Sequence, residues 1–418
     1  MNSSWCGCDC SAFCHCTSFL VPLPCKCRYV VLAIAENRLV FDPLRERLAR
    51  APDLSDAAAS YGNMRGLDAF REAFAGMISR TVLRNSSAEV DPNRLCCSAG
   101  CGALINNLAY TLTEPGDAIL VPSPYYPAFD SDLRAKVHAR IVPVPTEEDD
   151  FRVTPSALTA GLARAAGRGL PRPKALLLTN PNNPTGHVYS EEDLIAILEW
   201  CLHHRIHLIS DEIYANSVYS ESGSRPFKSM THILADQGHS VGDTRGAHEL
   251  VHVLWGLSKD FGISGFRMGA LYSGNEAVMK AMDSLGYFSA ISNDSQERMS
   301  DVLSDDAFVE SFLSLACRRL QENAAIVHEG AETLGVRVIG GDSMGGLFLW
   351  MDFRHWLPEA TWEAEQALFD QFVSDAGVIL TPGKACHAAE PGYFRCCFAW
   401  AEPEAIRAGF ERLSTLRD

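Results

Sequence analysis

Five short runs of nearly unbroken apolar residues recur along the middle of the chain: 118–122 (AILVP), 174–179 (KALLLT), 206–210 (IHLIS), 250–255 (LVHVLW) and 268–272 (MGALY). Among them and before them lie segments with the polarity pattern of helices, including 66–80, 101–113 and 190–204. A strand that is apolar on both faces must be covered on both, so the alternation predicts a mostly parallel sheet between two layers of helix. The tail differs. Residues 346–353 (GLFLWMDF) and 393–399 (YFRCCFA) read as antiparallel strands around a helix at 360–376. At 418 residues the chain is long enough for two units. A large α/β domain is expected at 45–290, and a smaller α+β domain from 29–44 with 291–418. The Gly-, Pro- and Ser-rich stretches 164–174 and 220–248 read as loops.

Lys plus Arg total 36 against 52 for Asp plus Glu, a net charge of −16. Such a surface repels nucleic-acid phosphates and anionic lipid, so neither is an expected partner. The longest apolar run, Tyr29 to Ala35, is far shorter than the roughly 20 residues that span a bilayer. A cytoplasmic protein is expected. Seven of the fifteen cysteines (Cys6, Cys8, Cys10, Cys14, Cys16, Cys25 and Cys27) crowd the start. Their spacing lacks the paired C-x2-C knuckles of zinc sites, and no basic and apolar signal-peptide regions accompany them. Residues 1–28 therefore read as a disordered leader, or an unreliable start, of a protein from a reducing compartment. No metal site is expected. His203, His204 and His207 end a helix without an acidic or Cys partner at ligand spacing. Cys96 and Cys97 read as small buried hydrophobes. Cys386 and His387 suggest a nucleophile and base, but neighbours on a strand point opposite ways.

Four segments carry chemistry. The first, 256–269 (GLSKDFGISGFRMG), puts Lys259 directly after an apolar strand and Arg267 eight residues later. An amine taken out of water loses basicity and becomes a nucleophile suited to Schiff-base formation, and an arginine offers a fork for phosphate. The second, 180–186 (NPNNPTG), follows a strand as a turn. The third, 210–214 (SDEIY), sets Asp211 and Tyr214 at a strand's carboxyl edge, where open α/β sheets bind ligands. The fourth, 98–104 (SAGCGAL), opens a helix whose free N–H groups suit an anion.

With these four in this order, the chain resembles fold-type I pyridoxal-phosphate enzymes of the class I/II aminotransferase superfamily. The strings AIAENRLVFDPL (33–44), VPSPYYPAFDSDLR (121–134), GGLFLWMDFR (345–354) and EPGYFRCCFA (390–399) narrow the resemblance to 1-aminocyclopropane-1-carboxylate (ACC) synthases and their fungal and animal relatives. The resemblance implies a seven-stranded, mostly parallel sheet and pyridoxal 5′-phosphate as cofactor. Lys259 would join the cofactor covalently and then move the Cα proton, Asp211 would pair with the ring nitrogen, and Asn183 and Tyr214 would bond its phenolic oxygen. Tyr126 would stack on the ring, with Tyr125 the neighbouring candidate. Gly100, Cys101, Ser258 and Arg267 would hold the phosphate, together with Tyr61 of the other subunit of a homodimer. Arg395 would clamp the substrate carboxylate, with Asn183 beside it, and Glu36 would lie near the substrate amine and sulfonium. The implied activity takes S-adenosylmethionine, removes the Cα proton, displaces or eliminates at Cγ and releases methylthioadenosine. Transamination to a keto acid, γ-substitution by a second substrate, and a catalytically silent binding protein are the alternatives. Two features depart from the family. Gly256 stands where a phosphate-binding Ser or Thr is common, which implies a missing hydroxyl contact, and the Cys-rich start replaces an ordered arm.

Overall fold

The computed structural model describes residues 29–417 apart from 54, 85, 147–150, 220–225, 239–245 and 341–343. The Cys-rich segment 1–28 lies outside the described residues. Seven strands form the main sheet: β1 (Leu95–Ser98), β2 (Ala118–Ser123), β3 (Arg140–Pro145), β4 (Ala175–Thr179), β5 (His207–Asp211), β6 (Val251–Gly256) and β7 (Gly269–Ser273), in the order β1-β7-β6-β5-β4-β2-β3. Only β7 runs against its neighbours; the other six are parallel. Every residue of β2, β4 and β6 is buried, as a sheet covered on both faces requires. Each large aliphatic side chain so buried contributes about 1.5–3 kcal/mol.

Five of these strands match the apolar runs to within a residue. The two others, β1 and β3, escape that pattern. β1 is LCCS, with Cys96 and Cys97 fully enclosed as small hydrophobes. β3 contains two prolines, which the sheet tolerates because β3 is its outermost strand. The stretch 164–174 is helical at its start, inside Pro155–Gly167, so the glycines and prolines there mark the end of a helix. Within 220–248, Ser229 caps a helix at Met230–Asp236 by accepting from Thr231 N.

A second, antiparallel sheet joins β8 (Arg337–Ile339), β9 (Phe348–Asp352), β10 (Thr381–Pro382) and β11 (Tyr393–Cys397) in the order β8-β9-β11-β10. The helix Trp362–Gln371 lies between β9 and β10 in sequence and runs into a wider turn at Phe372–Ala376. The long helix Asp306–Thr333 serves two cores. Val309, Phe312 and Ala316 pack with the main sheet's core, whereas Leu320, Ala324 and Val327 pack with that of the second sheet. Its apolar stripe changes partner midway, so no single amphipathic pattern announces it.

The topology fixes where chemistry can gather. Strands β1, β2, β4, β5 and β6 all end at one edge, delivering Gly100, Tyr126, Asn183, Asp211 and Lys259. Because β7 is antiparallel, it starts at that edge, just after Arg267. From the second sheet comes Arg395 on β11, paired in register with Trp350 and Thr381. Val30–Val31 pairs with Val378–Ile379, and Cys397 N donates to Leu32 O at 2.7 Å. These bonds lead residues 33–37 across the same edge.

Candidate active site

Lys259 sits in a short helix, Leu257–Asp260, that follows β6. Its Nζ donates to Ala35 O at 2.6 Å. Burial pushes the ammonium pKa below its ordinary value, and the charge of Arg395 adds to this while Cys397 and Glu36 oppose it. The next residue anchors the turn: Asp260 accepts from Asn216 N at 3.0 Å and Ser217 Oγ at 2.6 Å. That ties Lys259 to the segment carrying Tyr214.

Asp211 ends β5 with its carboxylate buried, and burial raises its pKa to about 7. It accepts a long bond from Ile213 N at 3.4 Å. A carboxylate in this position suits a cationic ring nitrogen, whose charge would offset the desolvation. Tyr214 is buried, with its hydroxyl 3.4 Å from Asn183 Nδ2. Asn183 Oδ1 accepts from Arg395 Nη1 at 2.9 Å. Arg395 Nη2 donates to Ala33 O and Thr381 Oγ1, each at 3.2 Å. Its Nε is buried with no nitrogen or oxygen partner among the described residues. A buried guanidinium whose donors are not all paired is suited to an anionic partner.

At the opposite end, Gly100 precedes the helix Cys101–Leu112 with φ +87. A Cβ there would stand 2.6 Å from Arg267 Nη2. The positive φ favours glycine, and a Cβ would also push the guanidinium away from the helix start. Gly100 N is itself used, donating to Ser98 O at 2.6 Å, and Leu104 N donates to Gly100 O at 3.3 Å; the N–H groups of Cys101, Gly102 and Ala103 between them have no intrahelical acceptor. Arg267, in the left-handed region at φ +55, donates to Ser264 O at 2.8 Å and Ala99 O at 3.3 Å. Ser258 lies buried nearby in sequence. An open helix end closed by an arginine is a phosphate cradle, and an amine and a carboxylate stand across from it. The residues fit pyridoxal phosphate.

The structure separates the two tyrosines of PYYP. Tyr126 feels the charges of Arg395, Asp211 and Arg267, and burial raises its pKa. Tyr125 instead stacks on His387, 4.2 Å between ring centroids, with its hydroxyl 3.4 Å from Asp130. Tyr125 therefore braces the loop and does not join the cluster. Tyr61 stands apart within this chain, 93% exposed. Glu36 belongs to the cluster and accepts from Ser264 Oγ at 2.5 Å. Cys386 and His387 do not lie on a strand: Gly383–Cys386 is a 3₁₀ turn and His387 has φ +57. His387 Nε2 is 2.8 Å from Asp130. Among the described residues no group of His, Cys, Asp and Glu forms a metal site, and no helix is long and apolar enough to cross a membrane. All eight described cysteines are free.

The sequence pattern missed Ser264, Thr381, Cys397 and the carbonyls of Ala33 and Ala35. The AEN string pointed at this segment, but a contact made by a main-chain carbonyl leaves no side-chain signature.

The family profile described as aminotransferase class I and II matches residues 30–413. The chain belongs to that family. Within it, this aminotransferase-family chain is 36% identical over 396 residues to 1-aminocyclopropane-1-carboxylate synthase 3 of Oryza sativa subsp. japonica, covering 92% of this chain and 86% of the relative. It is 34% identical over 400 residues to 1-aminocyclopropane-1-carboxylate synthase 8 of Arabidopsis thaliana, covering 93% and 83%. A solved aspartate aminotransferase from Thermus thermophilus, a double mutant, superposes with a TM-score of 0.75 at 25% identity, covering 93% of this chain and 91% of that one. Enzymes of this class use pyridoxal phosphate, and the chain is a pyridoxal-phosphate enzyme of fold type I with ACC-synthase-like character.

Proposed function

We propose that this enzyme takes S-adenosylmethionine, removes its Cα proton and displaces the sulfonium from Cγ with release of methylthioadenosine. One observation carries the reading: the segment 33–37 crosses the site, with Ala35 O meeting Lys259 Nζ, Ala33 O meeting Arg395, and the Glu36 carboxylate held by Ser264 close enough for Lys259 to feel its charge. A carboxylate in the segment that meets the reacting amine suits a substrate with a positively charged side chain. Bound pyridoxal phosphate would supply an aldehyde for the amine and a ring that absorbs the charge left at Cα. Arg267, Cys101 N and Ser258 would hold its phosphate, with Gly100 making the turn that brings them together, while Asp211 would hold its ring nitrogen, Asn183 and Tyr214 its phenolic oxygen, and Tyr126 its ring face. Arg395 would bind the substrate carboxylate with its guanidinium and orient Cα. Lys259, deprived of solvation, holds its proton less tightly than an exposed amine, which suits it to take the one on Cα. Holding Cα, Cγ and sulfur in line then contributes several kcal/mol toward ring closure.

Support also comes from the ACC synthases among its relatives. The likeness to aspartate aminotransferase favours a second reading, in which an amino acid is converted to a keto acid. A γ-substitution by a second substrate shares the same first steps. Tyr61 is strongly exposed, as are Tyr287 and Phe288 on an adjoining segment where Asn293 Nδ2 donates to Ser60 O at 2.7 Å. We assign this face to a homodimer in which Tyr61 reaches the partner's phosphate site, in a cytoplasmic enzyme. Mass spectrometry of products from S-adenosylmethionine decides the reaction. ACC plus methylthioadenosine supports the proposal, a keto acid supports transamination, and neither without an added nucleophile supports γ-substitution.

A further inference from the structure

Ser264 lies in the turn between Lys259 and Arg267, and it touches both halves of the site. Its Oγ donates to Glu36 Oε1 at 2.5 Å. Its carbonyl accepts from Arg267 Nη1 at 2.8 Å. A glutamate has three side-chain torsions, and in a half-buried position it turns to water unless something holds it. The Ser264 hydroxyl is the bond that holds it, and it is a bond to a charged acceptor, short and strong. The main chain on either side is also fixed. Ala35 O receives Lys259 Nζ. Asn37 is buried, and a Cβ on Gly262 would come 2.3 Å from Asn37 O, so the two loops are in contact. Glu36 therefore has little backbone freedom, and Ser264 sets the direction of its side chain.

We infer that Ser264 is a positioning residue that aims the Glu36 carboxylate at the substrate side chain and so selects α-amino acids with a cationic group beyond Cβ. The inference rests on reading this site as one for α-amino acids. It assigns the selection to a pair, the hydroxyl of one loop and the carboxylate of another, with the hydroxyl making no contact to the reacting atoms. Alanine at 264 deletes the hydroxyl and keeps the carbonyl that Arg267 uses, so the phosphate grip is spared.

The test uses the cofactor-loaded enzyme and a matched pair of amino acids, methionine and its sulfonium S-methylmethionine, with binding read from the cofactor's visible absorbance. The native enzyme is expected to bind the sulfonium about tenfold or more tightly. In Ser264→Ala this preference falls to within about threefold, cofactor affinity stays within about twofold, and Ser264→Thr restores the preference. Glu36→Gln abolishes it, and adding Ser264→Ala to Glu36→Gln changes it no further, the non-additivity expected of a coupled pair. The inference is overturned if Ser264→Ala keeps the full preference, if it weakens both amino acids equally, or if the native enzyme does not prefer the sulfonium. If the preference behaves as stated but S-adenosylmethionine yields no methylthioadenosine, the inference stands and the proposed reaction fails. If neither amino acid perturbs the absorbance, both fail.

Discussion

Arg395 Nη1 donates to Asn183 Oδ1 at 2.9 Å, while Arg395 Nε is buried with no nitrogen or oxygen partner among the described residues and the Cys397 thiol beside the guanidinium. Asn183 and Thr381 fix the plane of the guanidinium, so its open edge is presented in one orientation. Lysine would keep the charge but lose the fork. Arg395→Lys is expected to lower kcat/KM by about 10- to 100-fold, the worth of a charge-assisted hydrogen bond at ~1.5–3 kcal/mol. The loss should fall mainly on KM, because the carboxylate is bound in ground and transition states alike. Steady-state kinetics with the amino-acid substrate measures it; an unchanged KM would assign the carboxylate to another residue.

Lys259 offers a sharper test. Its amine is the one group the reading needs twice, for covalent attachment and for proton transfer. Lys259→Ala is expected to remove the visible band of covalently held cofactor while leaving phosphate binding, and to lower kcat by at least about 10²–10⁴-fold, the range of a lost general base. Added methylamine should restore part of the rate. A Lys259→Ala protein that retains the band when denatured and dialysed would place the attachment elsewhere.

Much of this site is legible in the sequence because each contribution follows a strand end. Asp211, Asn183, Lys259 and Gly100 all follow apolar runs or turn strings, and strand ends in a parallel sheet share an edge. Tyr125 and Tyr126 show what is not legible. They are adjacent and chemically identical, and only the stacking of Tyr125 on His387, 264 residues from Ser123 whose Oγ bonds the His387 carbonyl, decides between them. Ser264 is likewise silent, a serine in a glycine-rich turn until residues 33–37 are laid over it. β3 is hidden because edge position, not composition, licenses its prolines.

Acid should weaken the fold at a place remote from the cofactor. His207 Nδ1 and His252 Nε2 are 2.9 Å apart, and His252 Nδ1 is 2.9 Å from Ser273 Oγ. Burial pushes their pKa values down from 6.5 to about 4 and about 3. Both are neutral in the folded protein over a range in which the unfolded chain charges them. The unfolded state therefore binds more protons below pH ~6.5, and stability falls as pH drops from there toward 4. At pH 5.5 the loss should be on the order of 2–3 kcal/mol relative to pH 7.5, about half from each histidine. Urea unfolding at the two pH values measures it. His252→Gln, which cannot titrate, should cost stability at pH 7.5 yet show a shallower fall on acidification; an identical slope would remove the pair from the explanation.

Gly256 makes the last prediction. The sequence comparison implies a phosphate hydroxyl missing at this position, which suggests restoring it. The structure argues against simple restoration. A Cβ at 256 would stand 2.6 Å from Ile213 Cδ1 and 2.9 Å from Cys101 Sγ. Cys101 is held there by its thiol, which donates to Trp255 O at 3.3 Å. Its sulfur fills the space that a serine would need. Gly256→Ser alone is expected to destabilise by ~1–3 kcal/mol, the usual cost of overpacking, and to weaken cofactor binding. In a Cys101→Ala background the same substitution should cost clearly less, because one of the two close contacts is gone and Ile213 can change rotamer. Thermal unfolding and cofactor titration across the four proteins measure the coupling. Additive effects would show that Cys101 and Gly256 do not compete for the space beside the phosphate cradle.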